Sequence, residues 1–472
     1  MAKIHGMLDM GKRSMLLSQT ALQTTSHNIA NKSTEGYSRQ RVDMKTNPAI
    51  DEGRYRLGTG AKLAGITRVN NPWLEKQLEK ENSSFAHTEQ ASQGLARLEA
   101  VVNEQNVKGL NDSISGFFNS FRELANNPES AVARTQVREA GSSLIKVFQD
   151  SRKQIDDVTS DMNKNVEFNI VEVNGLAKEL AMMNEKIQQI EINGTESAND
   201  ERDHRDQLIK KLSEKIDVNY AEDPKTGMIN VTAGRTAILV AGTTFTELKT
   251  GETEMGKTQI MCEMSKGGTQ IDITDQFKRG KIGASIEIRD TVTTDLRNSL
   301  EELAYNISSE VNRAHSEGYD RYNRTGLNFF ELSDKGQPFS IENMKVNQDI
   351  TNDVSRIAAA AKANAPGDNT VANLIHSLQS QPLMQEGKYS FDNFYNAKVS
   401  EIGVLTQRAN STLDTQRNTL DQLKNIRESL SGVSMDEEAA KMIEYQKSFE
   451  ASARVIRTAD EMFDTILSLK RM

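Results

Sequence analysis

The segment Gly251-Glu-Thr-Glu-Met-Gly256-Lys257-Thr258 satisfies the spacing G-x-x-x-x-G-K-[ST], in which backbone amides cradle phosphates and the lysine and hydroxyl serve the phosphates and their magnesium. That chemistry needs a buried apolar strand before the loop and a long helix after it. Here the polar run Thr243 to Thr250 precedes the loop, Gly267-Gly268 ends the short run after it, and Glu252 and Glu254 would place carboxylates inside an anion cradle. The segment reads as a connection between strands, and a phosphate-loop nucleotide-binding protein stays as the alternative from another functional class. His5, His27, His87, His204, His315 and His376 never fall at the spacings that put two metal ligands on one helix face. Cys262, beside Met261 and Met264 in a strand-like run, reads as a small buried residue rather than a nucleophile. Asp200, Asp203 and Asp206 are interleaved with Arg202 and Arg205 and read as a solvated helix start rather than a cation site. The expectation is no catalytic residue, no cofactor and no metal.

With no chemistry concentrated at a point, the question becomes what the elements build. The chain has 472 residues, too many for one core at roughly 100 to 200 residues per domain. Hydrophobic residues make up 36%, aromatics 5%, and there is one Trp, so thin, elongated packing fits better than deep cores. A net charge of −9 argues against a general nucleic-acid binder. The lone Cys262 excludes a disulfide within the chain. No stretch approaches the ~20 apolar residues of a membrane helix, and Met1 to Thr25 lacks the apolar core of a cleaved secretory signal.

Ile4, Leu8, Gly11, Met15, Ser18, Leu22, Thr25 and Ile29 alternate spacings of four and three, which is a heptad seam. The small residues in it leave the seam incomplete. Met435, Ala439, Met442, Gln446, Phe449, Ala453, Ile456, Asp460, Phe463 and Leu467 repeat the pattern at the other end of the chain. Ser434-Met-Asp-Glu437 is a capping box that starts this second helix, with Glu437 reaching back to the Ser434 amide. The first segment carries excess basic and the second excess acidic charge. The two are expected to form a coiled coil, with Ile456 and Phe463 facing Leu22, Met15 or a neighbouring subunit.

Between them the period changes twice. Residues 46–70 read as a glycine-rich linker arm. Asn71-Pro72 and Pro128 open helices, the second carrying a stripe from Leu144 to Ile190. From Val218 the period falls to two, with strands at Met228 to Thr232, Ala237 to Val240 and Thr269 to Ile273. Helical patterns resume near Ile282 and again from Phe394 to Leu430. The expected fold is mainly α with a small β insertion, nested and multidomain: residues 1–45 and 431–472 as a terminal-helix coiled coil, 71–216 and 282–430 as a long-helix bundle with a loop-rich segment 319–390, and 217–281 as a β-rich outer tip domain.

Asn28-Ile29-Ala30-Asn31, then Gly36-Tyr37-Ser38-Arg39-Gln40, closely resembles the N-terminal signature of the flagellar hook-associated protein 1 family, the hook–filament junction proteins within the flagellar rod and hook axial proteins. The segment from Ser434 to Met472, with Tyr445-Gln446 and Val455 to Phe463, looks like the same family's C-terminal signature. Lys32, Ser33 and Glu35 stand where that family usually has Ala, Asn and Pro. The resemblance implies a structural protein rather than an enzyme, located outside the cell in the bacterial flagellum and exported without a cleaved signal by the type III apparatus with a chaperone. It also implies a ring of identical subunits meeting the hook protein on one side and a second junction protein and flagellin on the other, and a reduced tip domain in so short a chain. A hook or rod axial subunit is the nearer alternative. On this reading Ile4, Leu8, Met15, Leu22, Ile29, Met435, Ala439, Met442, Phe449, Ala453, Ile456, Phe463 and Leu467 form the axial subunit interface, and order at the two terminal helices is a property of assembly.

Overall fold

The computed structural model of the chain describes residues 2–52, 55–103, 109–192, 197–234, 236–253, 256–263, 268–332 and 338–469. In chain order the elements are α1 (Ala2–Ala30), β1 (Gln40–Thr46), β2 (Ile50–Glu52), β3 (Tyr55–Leu57), β4 (Ala61–Arg68), α2 (Pro72–Val102), α3 (Leu110–Asn126), α4 (Ala131–Glu191) and α5 (Asn199–Lys215). They continue as β5 (Val218–Glu222), β6 (Ile229–Ala233), β7 (Ala237–Ala241), β8 (Thr244–Phe245), β9 (Leu248–Glu252), β10 (Thr258–Glu263), β11 (Gln270–Asp272), α6 (Gly280–Glu287) and α7 (Thr293–Glu317). The last are β12 (Phe330–Glu331), β13 (Lys345–Val346), α8 (Gln348–Asn352), α9 (Thr370–Leu378), α10 (Phe391–Ser431) and α11 (Met435–Leu469). The fold is mainly α with small sheets.

Local chemistry explains the helix starts. Asn71 Oδ1 accepts from the amides of Trp73 and Leu74, at 3.2 and 3.4 Å, while Pro72 occupies the first turn where no amide is needed. Ser130 Oγ caps α4 in the same way through the Ala133 amide at 3.2 Å. Of the stripe expected along α4, Leu144, Phe148, Ile155, Val158, Met162, Val166, Ile170, Val173, Leu180 and Ile187 are buried.

The chain divides into two compact units. One comprises residues 87–168 and 281–414. Its core gathers Phe117, Phe118 and Phe121 of α3 with Phe329, Phe330 and Phe391, and the Phe329 and Phe330 rings meet edge to face at 4.8 Å. Each such burial contributes about 1.5–3 kcal/mol. The segment 319–390, expected to be loop-rich, supplies Phe329, Phe330, Ile341, Met344, Ile350 and Met384 to this core. Asn312 of α7 holds it to the helix, exchanging two 2.8 Å hydrogen bonds with the Phe330 backbone.

The other unit comprises residues 1–86, 169–280 and 415–472. Its β segment forms two sheets, one in the order β5-β6-β7-β8 and one in the order β11-β10-β9. Two asparagines of α4 hold them. Asn184 bonds Ile229 and the Gly242 carbonyl, and Asn174 exchanges two 2.8 Å bonds with Leu248, so each carboxamide takes the place of a strand neighbour. The G-x-x-x-x-G-K-T segment is the connection of the β9–β10 hairpin: Glu252 pairs with Thr258, Gly256 has φ +70°, and Thr253 N–H donates to the Lys257 carbonyl at 2.9 Å. Glu254, Met255, Met264 and Gly267 lie outside the described residues. Cys262 is buried on β10 between Leu248 and Ile271.

Candidate assembly site: the terminal helix pair and its base

Helices α1 and α11 pack against each other along their lengths, and their contacts fix an antiparallel register. Asn28 meets Glu438, Ser18 Oγ meets Ser448 Oγ at 3.1 Å, and Ser452 Oγ donates to Ser14 Oγ at 2.8 Å. Gly11 meets Ile456, and the rings of His5 and Phe463 stack with centroids 5.9 Å apart. Each step back along α1 is matched by a step forward along α11.

The contact row is displaced from the expected seam. On α11 it runs Glu438, Met442, Tyr445, Phe449, Ser452, Ile456, Ala459 and Phe463, all buried or half-buried, so Met442, Phe449, Ile456 and Phe463 lie on it. Met435 and Leu467 are 40% and 44% exposed and Ala439 is exposed, while Ala453 is half-buried at its edge. On α1 the buried residues are Gly11, Leu17, Ser18, Ala21, Thr24, Thr25 and Asn28, and those that meet α11 include Gly11, Ser18 and Asn28, with half-buried Ser14 among them. Ile4, Leu8, Met15, Leu22 and Ile29 are half-buried. Ile456 therefore meets Gly11, and Phe463 meets His5. The physical reason is backbone approach: small residues let two helices close in, and the bulky neighbours one position away are left on the flank. At about 100° per residue, Met15, Leu22 and Ile29 share one flank of α1. Because the helices are antiparallel, the flank of α11 carrying Met435, Ala439, Ala453 and Leu467 faces the same way.

The base of the pair is a polar network built on the segment after α1. All four hydrogen-bonding positions of the Asn28 carboxamide are used: Nδ2 donates to Glu438 Oε2 and to the Gln40 carbonyl, each at 2.9 Å, and Oδ1 accepts from Tyr37 Oη at 2.7 Å and the Gln40 amide at 2.9 Å. Asn31 closes the helix end, its amide donating to the His27 carbonyl at 3.1 Å. Ala30 is exposed. Gly36 has φ +78°, and a Cβ there would overlap the Gln207 side chain, so only glycine fits. Ser38 N–H donates to Asp203 at 2.8 Å, Gln40 Nε2 to Asp200 at 2.7 Å, and Arg39 to Glu437 at 2.8 Å. Glu437 thus pairs with Arg39 rather than turning back to the Ser434 amide.

Charges expected to be solvated are inside. Asp203 is 7% exposed and shares Arg68 with Asp206, at 2.8 and 2.6 Å, while Arg205 is 1% exposed and donates to Glu222 and the Gly227 carbonyl. Burial pushes the Asp203 and Asp206 carboxyls up, against the opposing pull of Ser38 and Arg68 on the first and Arg68 on the second. Burial, then Asp200, Asp203 and Glu438, push the Tyr37 phenol up, which keeps it a donor to Asn28. Arg427 of α10 joins the network, donating to Glu75 at 2.8 Å and to the Gly36 carbonyl at 2.9 Å. Arg68 and Arg427 were not singled out from sequence, and spacing alone carries no signal for them.

Among the described residues, no group of His, Cys, Asp and Glu could hold a metal ion, and no helix is long and apolar enough to cross a membrane.

Comparisons with known proteins agree with this architecture. The family model of the flagellar hook-associated protein FlgK helical domain matches residues 95–330, and that of the flagellar basal body rod FlgEFG protein C-terminal region matches residues 428–469. The chain is 25% identical over 497 residues to flagellar hook-associated protein 1 of Bacillus subtilis, covering 98% of this chain and 97% of that one. It is 23% identical over 539 residues to flagellar hook-associated protein 1 of Escherichia coli, covering 96% and 97%. The solved structure of the flagellar hook junction protein FlgK from Burkholderia pseudomallei superposes with a TM-score of 0.68 at 13% identity, over 75% of this chain and 100% of that one. A helical-domain match over half the chain, with relatives spanning nearly all of it, places this chain in the flagellar hook-associated protein FlgK family, structural proteins of the flagellum.

Proposed function

We propose that the chain is the structural subunit joining hook to filament, and that it assembles as a ring through the flank of its α1–α11 pair. The observation that carries this is the half-used state of the pair. Its inner row closes within one chain, while Met15, Leu22 and Ile29 on α1 and Met435, Ala439 and Leu467 on α11 stand partly or largely uncovered on one side. A neighbouring copy presenting the same flank would remove that apolar surface from water, at about 25 cal/mol per Å². The relatives' printed names, hook-associated and hook junction protein, support hook protein as the neighbour on one side; a second junction protein and flagellin on the other side are part of the same proposal. Export by the type III apparatus with a chaperone, and a location outside the cell, belong to the same proposal. So does the absence of any enzymatic role.

The test is Leu22→Asp combined with Ala439→Asp. Neither residue is in the inner row, so the purified protein should melt within about 1 °C of the parent yet fail to enter hook–filament junctions on cells. Incorporation of the double variant at parental levels would overturn the assignment of this flank.

A further inference from the structure

In the unit of residues 87–168 and 281–414, a cavity of about 320 Å³ opens between the start of α4 and the loops around Asp320 and Asn364. Its inner wall carries Arg134, only 3% exposed. The guanidinium donates to two backbone carbonyls, those of Pro128 at 2.9 Å and Ile357, and its Nε has no partner. Among the described residues no carboxylate pairs with it. Asp320, the acid lining the cavity nearest this charge in effect, is already committed: Oδ1 accepts from the amides of Tyr322 and Arg324 at 2.8 and 2.9 Å, and Oδ2 faces Arg356 Nε at 3.2 Å. Two more cations, Arg321 and Lys362, line the same cavity, against the exposed Glu129. Burial, then Arg321, push the Arg134 guanidinium down to about 10, which leaves it charged at neutral pH.

A buried cation satisfied only by neutral carbonyls is a costly arrangement that an incoming anion relieves. We propose that this cavity binds a small oxyanion, a carboxylate or phosphate group, on Arg134, with Arg321 and Lys362 at its mouth. Planar guanidinium against paired oxygens is the geometry that favours such groups over chloride. The rim is held ready: Asn323 Nδ2 donates to Asn364 Oδ1 at 2.8 Å, and the Asn364 amide returns the bond to Asn323 Oδ1 at 2.7 Å. The oxyanion arrives either as a free anion or as an acidic side chain of another protein chain.

The full-length protein, labelled at Ile and Ala methyls, would be titrated with sodium phosphate, sodium acetate and hexaglutamate, each against sodium chloride at matched ionic strength. The expected result is a saturable shift at Ile357, Ala359 and Ala360, weakened about fivefold or more in the surface variant Arg321→Gln/Lys362→Gln. Preference for phosphate or acetate over hexaglutamate identifies a free anion, and preference for hexaglutamate over both identifies an acidic side chain of another chain. Shifts that fail to saturate, that chloride reproduces, or that the double variant leaves unchanged would overturn the proposal. Because Arg134→Met removes bonds to Pro128 and Ile357, the exposed pair is the primary test, with Arg134→Lys as the second: it keeps the charge, loses the fork, and should bind more weakly when compared at a temperature where the variant is fully folded.

Discussion

A Cβ built on Gly11 would lie 2.7 Å from Cγ1 of Ile456. Real carbon atoms do not approach so closely, so the spacing of α1 and α11 at this level is set by the absence of a side chain.

Gly11→Val should therefore open the pair, at about 1–3 kcal/mol of overpacking, even though glycine itself costs the helix up to about 1 kcal/mol. Gly11→Val/Ile456→Ala should recover part of the loss. Hydrogen exchange across residues 4–29 of the monomer reads both, and equal protection in the parent and Gly11→Val would contradict this packing.

Ile456→Asp should also disorder the pair in the isolated protein, because Ile456 is packed within its own chain. Its exchange pattern should differ from that of Leu22→Asp, which leaves the monomer intact.

Asn28→Asp replaces a donor to Glu438 by a second carboxylate in a buried site, where Glu438 is 1% exposed. Lys441 at 2.8 Å offsets one charge only. The expected cost is several kcal/mol, seen as loss of α1 protection in hydrogen exchange. Tyr37→Phe, which removes one bond to Asn28, should cost only about 1 kcal/mol.

The two units should respond to pH in opposite senses. His315 Nδ1 donates to the Leu327 carbonyl at 2.7 Å and Nε2 accepts from the Ala358 amide at 2.9 Å, and burial pushes the imidazole down to about 4. The neutral ring belongs to the folded state, so its contribution is full above the ordinary value near 6.5 and falls by about 3 kcal/mol as pH drops through 4. Burial pushes Glu79 up to about 7, beside the Tyr220 hydroxyl that donates to it at 2.9 Å. Its contribution is full below about 4.5 and is lost as pH rises through 7. Exchange-resolved melting from pH 4 to 8 should show the His315 unit weakening at the acid end and the Glu79 unit at the alkaline end. His315→Gln and Glu79→Gln should each flatten one limb, and a single shared profile would exclude this assignment.

Lys257→Ala should leave melting and assembly unchanged, and millimolar ATP with magnesium should not stabilise the protein. The hairpin at Gly256 turns straight into β10, so no helix presents amides to a phosphate. A nucleotide-dependent melting shift lost in Lys257→Ala would reopen the alternative.

Period was the legible part of the sequence. Heptad alternation located α1 and α11, and the stripe from Leu144 to Ile190 located α4. Alternation could not choose the inner row, because bulky Met15 and Leu22 score as core while the close approach needs Gly11, Ser14, Ser18 and Ala21. Nor does spacing reveal which charges are paired: Asp203 and Arg205 look like any helix start until Arg68 and Glu222 are brought to them from other elements. The carboxamides of Asn174, Asn184 and Asn312, which substitute for strand neighbours, are likewise tertiary facts.

Asn28 and Glu438 stand 410 positions apart. During synthesis α1 is therefore complete long before its partner exists, and every other element has emerged before the inner row can close. Closing the pair therefore carries a larger loop-entropy cost than closing contacts between elements nearer in sequence. Until then its small-residue groove is open to whatever other helix it meets, so the interval before α11 appears is when a substitute helix could hold the chain unassembled.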